Sequence, residues 1–147
     1  MTAVIQRVNF CQLDIDSKTH CKIERGLLLL LGVAAADTQT DLEKLVNKCD
    51  GLRIFEDENG KMNNSVNDIG GAVMVVPNFT LCADLRHGKR PSFTTSMEPQ
   101  KACVMFEEFA LRLSKTTKVV TGVFGADMKI NLLNDGPVTL ILKSEDL

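Results

Sequence analysis

The chain has no tryptophan and no tyrosine among its 147 residues, so seven phenylalanines carry all of its aromatic packing. It has only two histidines, His20 and His87, which leaves little from which to assemble a Ser/His/Asp or Cys/His group. No Cys-x-x-Cys pair occurs. The five cysteines (Cys11, Cys21, Cys49, Cys82, Cys103) are odd in number and far apart. Their spacing supports neither a metal site nor a disulfide framework, and fits small buried hydrophobes in a reducing compartment. An excess of positive charge is missing as well. The net charge is −2 and the sequence pI about 5.7. That argues against a protein that coats nucleic acid non-specifically, and no DNA partner is expected, although a local basic patch remains open. The N-terminal run Met1 to Arg7 lacks the charged-then-apolar pattern of a secretory signal. The longest strongly apolar stretch, Gly26 to Ala36, is too short to span a bilayer. These absences point to a cytoplasmic protein with no membrane partner.

What is present has globular proportions: 44% hydrophobic and 24% charged residues. A chain of this length suits one domain over residues 1–147, with a core that buries roughly 68–70% of the unfolded surface. Thr2 to Phe10 reads as a strand, and Cys11 to Ile15 with Cys21 to Glu24 as a hairpin. Leu27 to Val33 reads as a strand buried on both faces. Asp37 or Thr38 offers an N-cap to a helix whose Leu42, Leu45, Val46 and Cys49 share one face, ended by Gly51. Leu52 to Phe55 forms a short strand, and Lys61 to Asn67 a loop. Ala72 to Val76 is a buried strand, broken at Pro77-Asn78 and resumed over Phe79 to Ala83. Pro99 suits the first position of a second helix. Strands over Lys118 to Phe124, Met128 to Leu133 and Val138 to Leu142 complete about eight strands and two helices. The expected class is α/β or α+β: a curled, barrel-like sheet covered by both helices.

Asn134-Asp135-Gly136-Pro137-Val138-Thr139 lies between two apolar runs and reads as a turn. A routine hairpin is an awkward fit, because Asp135-Gly136 runs straight into a proline that cannot donate a ladder bond. At the Pro77-Asn78 break, backbone N–H groups would be freed near Phe79 and Thr80, and such donors can hold an oxyanion. A plain strand threonine is the competing reading of Thr80. Cys82 reads as core, and His87 as a solvated loop residue. Arg86, Lys89 and Arg90 form the densest positive charge, suited either to phosphate or to solvent.

Taken together these stretches resemble the D-aminoacyl-tRNA deacylases of the DTD family, over essentially the whole chain. The resemblance rests on Ala3-Val4-Ile5-Gln6-Arg7-Val8, Gly26-Leu27-Leu28, Leu31-Gly32-Val33, Arg53-Ile54-Phe55 and Gly60-Lys61-Met62-Asn63. It continues in Arg90-Pro91-Ser92-Phe93, in Gly122 through Met128, and in the intact signature Asn134 through Thr139. The second family signature, Ser-Gln-Phe-Thr-Leu, stands here as Pro77-Asn78-Phe79-Thr80-Leu81. A proline at its first position also occurs in related animal-type deacylases acting on L-alanine mischarged to tRNA.

The resemblance implies a DTD-like fold and hydrolysis of the ester joining a D-amino acid, or glycine, to tRNA. It implies a homodimer in which a cis Gly136-Pro137 of one subunit enters the other subunit's pocket and excludes L side chains. Arg7 and Met128 would support that gate. Pro77 and Asn78 would line the substrate site, and N–H groups at Phe79 and Thr80 would hold the ester carbonyl. The substrate's own ribose 2′-OH would assist, so neither metal nor cofactor is required. Arg86, Lys89 and Arg90 would meet tRNA. An L-alanyl-tRNA deacylase and a non-catalytic tRNA-binding dimer are the alternatives.

Overall fold

Strand β1 (Thr2–Ile15) is the axis of the fold. In the computed structural model, which describes all of residues 1–147, it runs unbroken through the stretch read as a strand followed by a hairpin arm. On one side its first half pairs antiparallel with β3 (Gly26–Gly32), and its second half with β2 (Lys18–Ile23). Asp16 and Ser17, both at positive φ, make the two-residue turn between β1 and β2. On the other side β1 pairs along its whole length with β8 (Met128–Lys143). β3 continues in parallel to β6 (Ala72–Pro77), and β6 to β7 (Lys118–Thr121). β2 folds back against β6 and β7, so the sheet curls until it nearly closes. A small hairpin of β4 (Phe55–Glu56) and β5 (Met62–Asn64) stands apart, β5 falling in the stretch read as loop.

Two layers of core follow from the alternation of side chains along β3. Leu27, Leu29 and Leu31 face α1 (Gln39–Asp50) and α2 (Pro99–Leu113). There they meet Leu42 and Leu45 from α1, and Phe106 and Phe109 from α2. Leu28 points the other way, into the curl, with Val8, Leu13, Met74 and Val76. The buried run seen in the sequence is therefore a strand with a core on each side. Gly26 lets β3 and β6 approach: a Cβ there would lie 1.9 Å from the Ala72 carbonyl oxygen.

The helices start as their sequences indicate. Thr38 opens α1, and the Asp41 carboxylate accepts from both the Thr38 N–H and its hydroxyl. Pro99 opens α2, with Glu98 accepting from the N–H groups of Gln100 and Lys101. No helix is long and apolar enough to cross a membrane, which says nothing of a β-barrel.

Two further local expectations change. Phe79 to Ala83 does not resume the strand; β6 ends at Pro77 and Phe79–Cys82 form a 3-10 turn. Asn78 and Thr80 bond each other and the local backbone, which favours a turn over a ladder. The Asn134–Thr139 signature is not a hairpin turn either, since both flanking runs belong to β8 and pair with the same β1.

Candidate active site

The register between β1 and β8 shows what that signature does. Gln6 lies opposite Thr139 and Val8 opposite Asn134, so Asp135 through Val138 face a single residue, Arg7. The four residues leave the ladder as a wide bulge. Val138 turns its side chain into the core, while Gly136 and Pro137 are exposed. Gly136 has φ +127°, and a Cβ there would sit 2.7 Å from Val138 Cγ2. The Gly136-Pro137 bond is cis.

Arg7 is buried beneath the bulge. Its Nε donates to the Asp135 carbonyl and meets the Asp135 carboxylate, both at 3.2 Å, and its Nη1 donates to the Ile54 carbonyl at 2.7 Å. A buried guanidinium with a carboxylate and two carbonyls is a satisfied group that fixes its neighbours. Of the two residues expected to support the loop, Arg7 touches it within the chain. Met128 pairs with Ile15 at the far end of β8 and lines a different region.

That region is a cleft of about 490 Å³ at the mouth of the curl, bordered by Pro77, Asn78, Phe79, Thr80, Met128 and Ile130. β6 ends there because Pro77 cannot continue the ladder, and the Asn78 N–H closes back on the Leu31 carbonyl at 2.8 Å. The 3-10 turn then begins with two N–H groups, of Phe79 and Thr80, that have no acceptor in the chain. These are donors of the kind an oxyanion requires. The Thr80 hydroxyl donates to Asn78 Oδ1 at 2.5 Å. An amide oxygen is too weak a base to activate it.

Phe79 is 57% exposed and packs edge-on against Phe93 with centroids 5.0 Å apart. Behind it lies a second cavity of about 470 Å³, walled by Leu31, Val33, Phe93, Ala102, Phe106 and Phe124. The Ser96 hydroxyl, buried and unpartnered, is on its wall.

No catalytic side chain converges on either space. Asp127, at the rim of the cleft, is exposed and paired with Lys129. Burial raises the Cys82 thiol above its ordinary pKa, so it is not an activated nucleophile. No three His, Cys, Asp or Glu residues cluster as metal ligands. In the basic loop Arg86 grips the Asp84 carboxylate through Nε and Nη2, which holds Asp84 down at a pKa of about 2. Lys89 and Arg90 are left exposed and without a carboxylate partner. Sequence reasoning missed Asn134 as a structural element of the bulge, although it opens the signature. Its amide bonds Val138, and only the register makes that visible.

The bulge and the cleft are apart within one chain. Arg7 pairs with Leu27 and Pro77 with Leu31, four residues further along β3, or about 13 Å at strand spacing. No residue from Asp135 to Val138 borders the cleft.

A curled sheet carrying two helices on one face is an architecture shared with solved structures. A chain described as c-Myc DNA Unwinding Element Binding Protein superposes with a TM-score of 0.92 at 37% identity, covering 97% of this chain and 98% of that one. A structure described as a probable eukaryotic D-amino acid tRNA deacylase superposes at 0.84, covering 97% and 99%, and at 14% identity it speaks for the fold alone.

The family model for D-Tyr-tRNA(Tyr) deacylase matches residues 4–143, and the chain belongs to that family. It is 50% identical to the D-aminoacyl-tRNA deacylase of Sulfurihydrogenibium sp. (strain YO3AOP1) over the full length of both chains. It is 52% identical to the protein of the same name from Thermosipho melanesiensis (strain DSM 12029 / CIP 104789 / BI429), over 99% of this chain and 98% of that one.

Proposed function

We propose that the chain hydrolyses the ester between a D-amino acid, or glycine, and the 3′ end of tRNA, as a cytoplasmic homodimer. The partner subunit's Gly136-Pro137 enters the cleft at Phe79 and Thr80 and excludes an L side chain. One observation carries this reading. An exposed, firmly held bulge and an open cleft bordered by two free main-chain N–H groups are offset by about 13 Å along the strand direction in one chain, so each lacks what the other offers. Two-fold pairing of two chains would satisfy both sites at once.

An aminoacyl ester is activated already, so positioning and oxyanion stabilisation suffice. The ester carbonyl oxygen accepts from the N–H groups of Phe79 and Thr80. Water adds to the carbonyl carbon, and the proton it loses is relayed through the ribose 2′-OH. The bond from carbonyl carbon to O3′ breaks with its electron pair on O3′, which takes up a proton. The products are a free amino acid and tRNA with a 3′-hydroxyl. The aromatic-walled cavity behind Phe79 is suited to the terminal base, which stacks on such walls whatever the amino acid. Lys89 and Arg90 lie free to meet acceptor-stem phosphates, and Arg86 would have to leave Asp84 to join them. Main-chain exclusion of L side chains leaves many D side chains acceptable. The same geometry leaves glycine, which has no side chain to exclude, as a substrate.

The experiment is a competition among D-alanyl-, L-alanyl- and glycyl-tRNA with purified protein in chelator. Loss of the D-alanyl and glycyl esters with L-alanyl-tRNA intact is expected. Selective loss of L-alanyl-tRNA would replace this reading with the mischarging deacylase, for which Pro77 is the motive. Tight tRNA binding with no turnover would leave a non-catalytic tRNA-binding dimer.

A further inference from the structure

We propose that Asn134 is the positioning residue of the bulge: its side-chain amide closes the neck of the Asp135–Val138 loop and so sets how Gly136-Pro137 stand out from the sheet. The inference rests on the deacylase reading above and names a residue through which its chiral selection is held.

A four-against-one bulge has no ladder bonds to hold its shape. The chain leaves the ladder at Asn134 and re-enters it at Thr139. Pro137 has no N–H, so the backbone of Val138 is the last point at which the exit of the loop can be tied. The Asn134 amide ties both of its polar groups. The Val138 N–H donates to Asn134 Oδ1 at 2.9 Å, and Asn134 Nδ2 donates to the Val138 carbonyl at 3.3 Å. This two-point pairing imitates the exchange of bonds between opposed residues in an antiparallel ladder.

The second hydrogen on Nδ2 reaches Thr139 Oγ1 at 3.0 Å, which also accepts from Gln6 Nε2 at 3.3 Å. The clasp is thus linked to the first ladder pair beyond the loop, Gln6 and Thr139. Only an amide supplies one acceptor and two donors at these positions. Aspartate keeps the acceptor and loses both donors, setting a carboxylate against the Val138 carbonyl. Alanine loses all three bonds.

Arg7 supports the other side of the loop through Asp135. Arg7, however, is a buried charge that also ties Ile54, and its removal would disturb the core as well as the loop. Asn134 is only half-buried, so its substitution separates the shape of the loop from the stability of the fold.

The test compares wild type, Asn134→Ala and Asn134→Asp on D-tyrosyl- and L-tyrosyl-tRNA, alongside thermal unfolding. The D/L ratio of kcat/KM should fall at least tenfold in both variants, mostly through a gain in L-ester hydrolysis. In Asn134→Asp the ratio should partly recover as pH falls through the carboxyl pKa, because the protonated acid regains a donor. If Asn134→Ala fails to fold, the aspartate variant and its pH profile decide. A folded variant that keeps the wild-type ratio, or loses D and L turnover in parallel, overturns the inference. A wild-type protein that does not itself prefer the D-ester overturns the deacylase reading instead, so the two failures are told apart.

Discussion

Thr80 contributes two different groups to the cleft, a main-chain N–H and a hydroxyl. The hydroxyl is committed to Asn78 and has no base beside it, whereas the N–H is free at the start of the 3-10 turn. Thr80→Pro removes the N–H and should abolish turnover; loss of one oxyanion donor alone is typically worth about 10²–10³ in rate. Thr80→Ala keeps the N–H and should only weaken turnover. Single-turnover hydrolysis of D-tyrosyl-tRNA by both variants separates the roles, and equal, complete loss in two folded variants would point to the hydroxyl as the nucleophile. The cysteines give an independent check. All five thiols are shifted upward, first by burial, with Cys11 at about 11 and Cys49 at about 12. Alkylation with iodoacetamide at neutral pH should therefore leave turnover intact, and stoichiometric inactivation would contradict a mechanism without a cysteine nucleophile.

Among the elements, β8 owes its length to β1, with which it pairs on both sides of the bulge. Ala3 and Ile5 of β1 pair with Leu142 and Leu140 and face the helices. Cys11 and Leu13 pair with Leu132 and Ile130 and face into the curl. The apolar runs on either side of the signature looked like separate strands because the Asn-Asp-Gly-Pro between them carries turn residues. The cis bond and the support from Arg7 were implied by the family resemblance, whereas the four-against-one register and the Asn134 clasp needed the three-dimensional structure to be seen. Gly136→Ala places a Cβ at positive φ against Val138 and should cost about 1–3 kcal/mol. Differential scanning calorimetry should show Tm lower by a few degrees, with a parallel fall in the D/L ratio. At the start of α1, Asp41 is lowered to a pKa of about 2 by the Thr38 hydroxyl and then the Thr38 N–H. The native state thus favours the ionised carboxylate. Its stabilisation is fully present above the unfolded value near 4 and is lost as pH falls toward 2. Asp41→Asn should flatten that part of the acid-unfolding curve, and an unchanged curve would show that the capping contact is not carrying it.

For the whole molecule, the central strands, both helices and the curled sheet were legible because periodicity and caps agreed with one another, while β5 and the continuity of β8 were not. Leu27 to Val33 revealed a two-sided core, and the helix caps at Thr38 and Pro99 marked their starts. The 3-10 turn at Phe79 was not legible, because Phe79-Thr80-Leu81-Cys82 has the composition of a strand and only the Asn78 contacts bend it. The candidate site residues were named through family signatures. Their separation into an exposed bulge and a distant cleft was not legible, because it depends on how β1, β3 and β6 are registered. That separation leads to the central claim, that one subunit's loop reads chirality in the other subunit's cleft. A mixed dimer tests it most directly, with Thr80→Pro in one subunit and Gly136→Ala in the other. Its one intact cleft faces the one intact loop, so it should hydrolyse D-tyrosyl-tRNA with wild-type discrimination against the L-ester. If it instead shows the relaxed discrimination of the Gly136→Ala homodimer, the loop acts within its own chain and the account is contradicted.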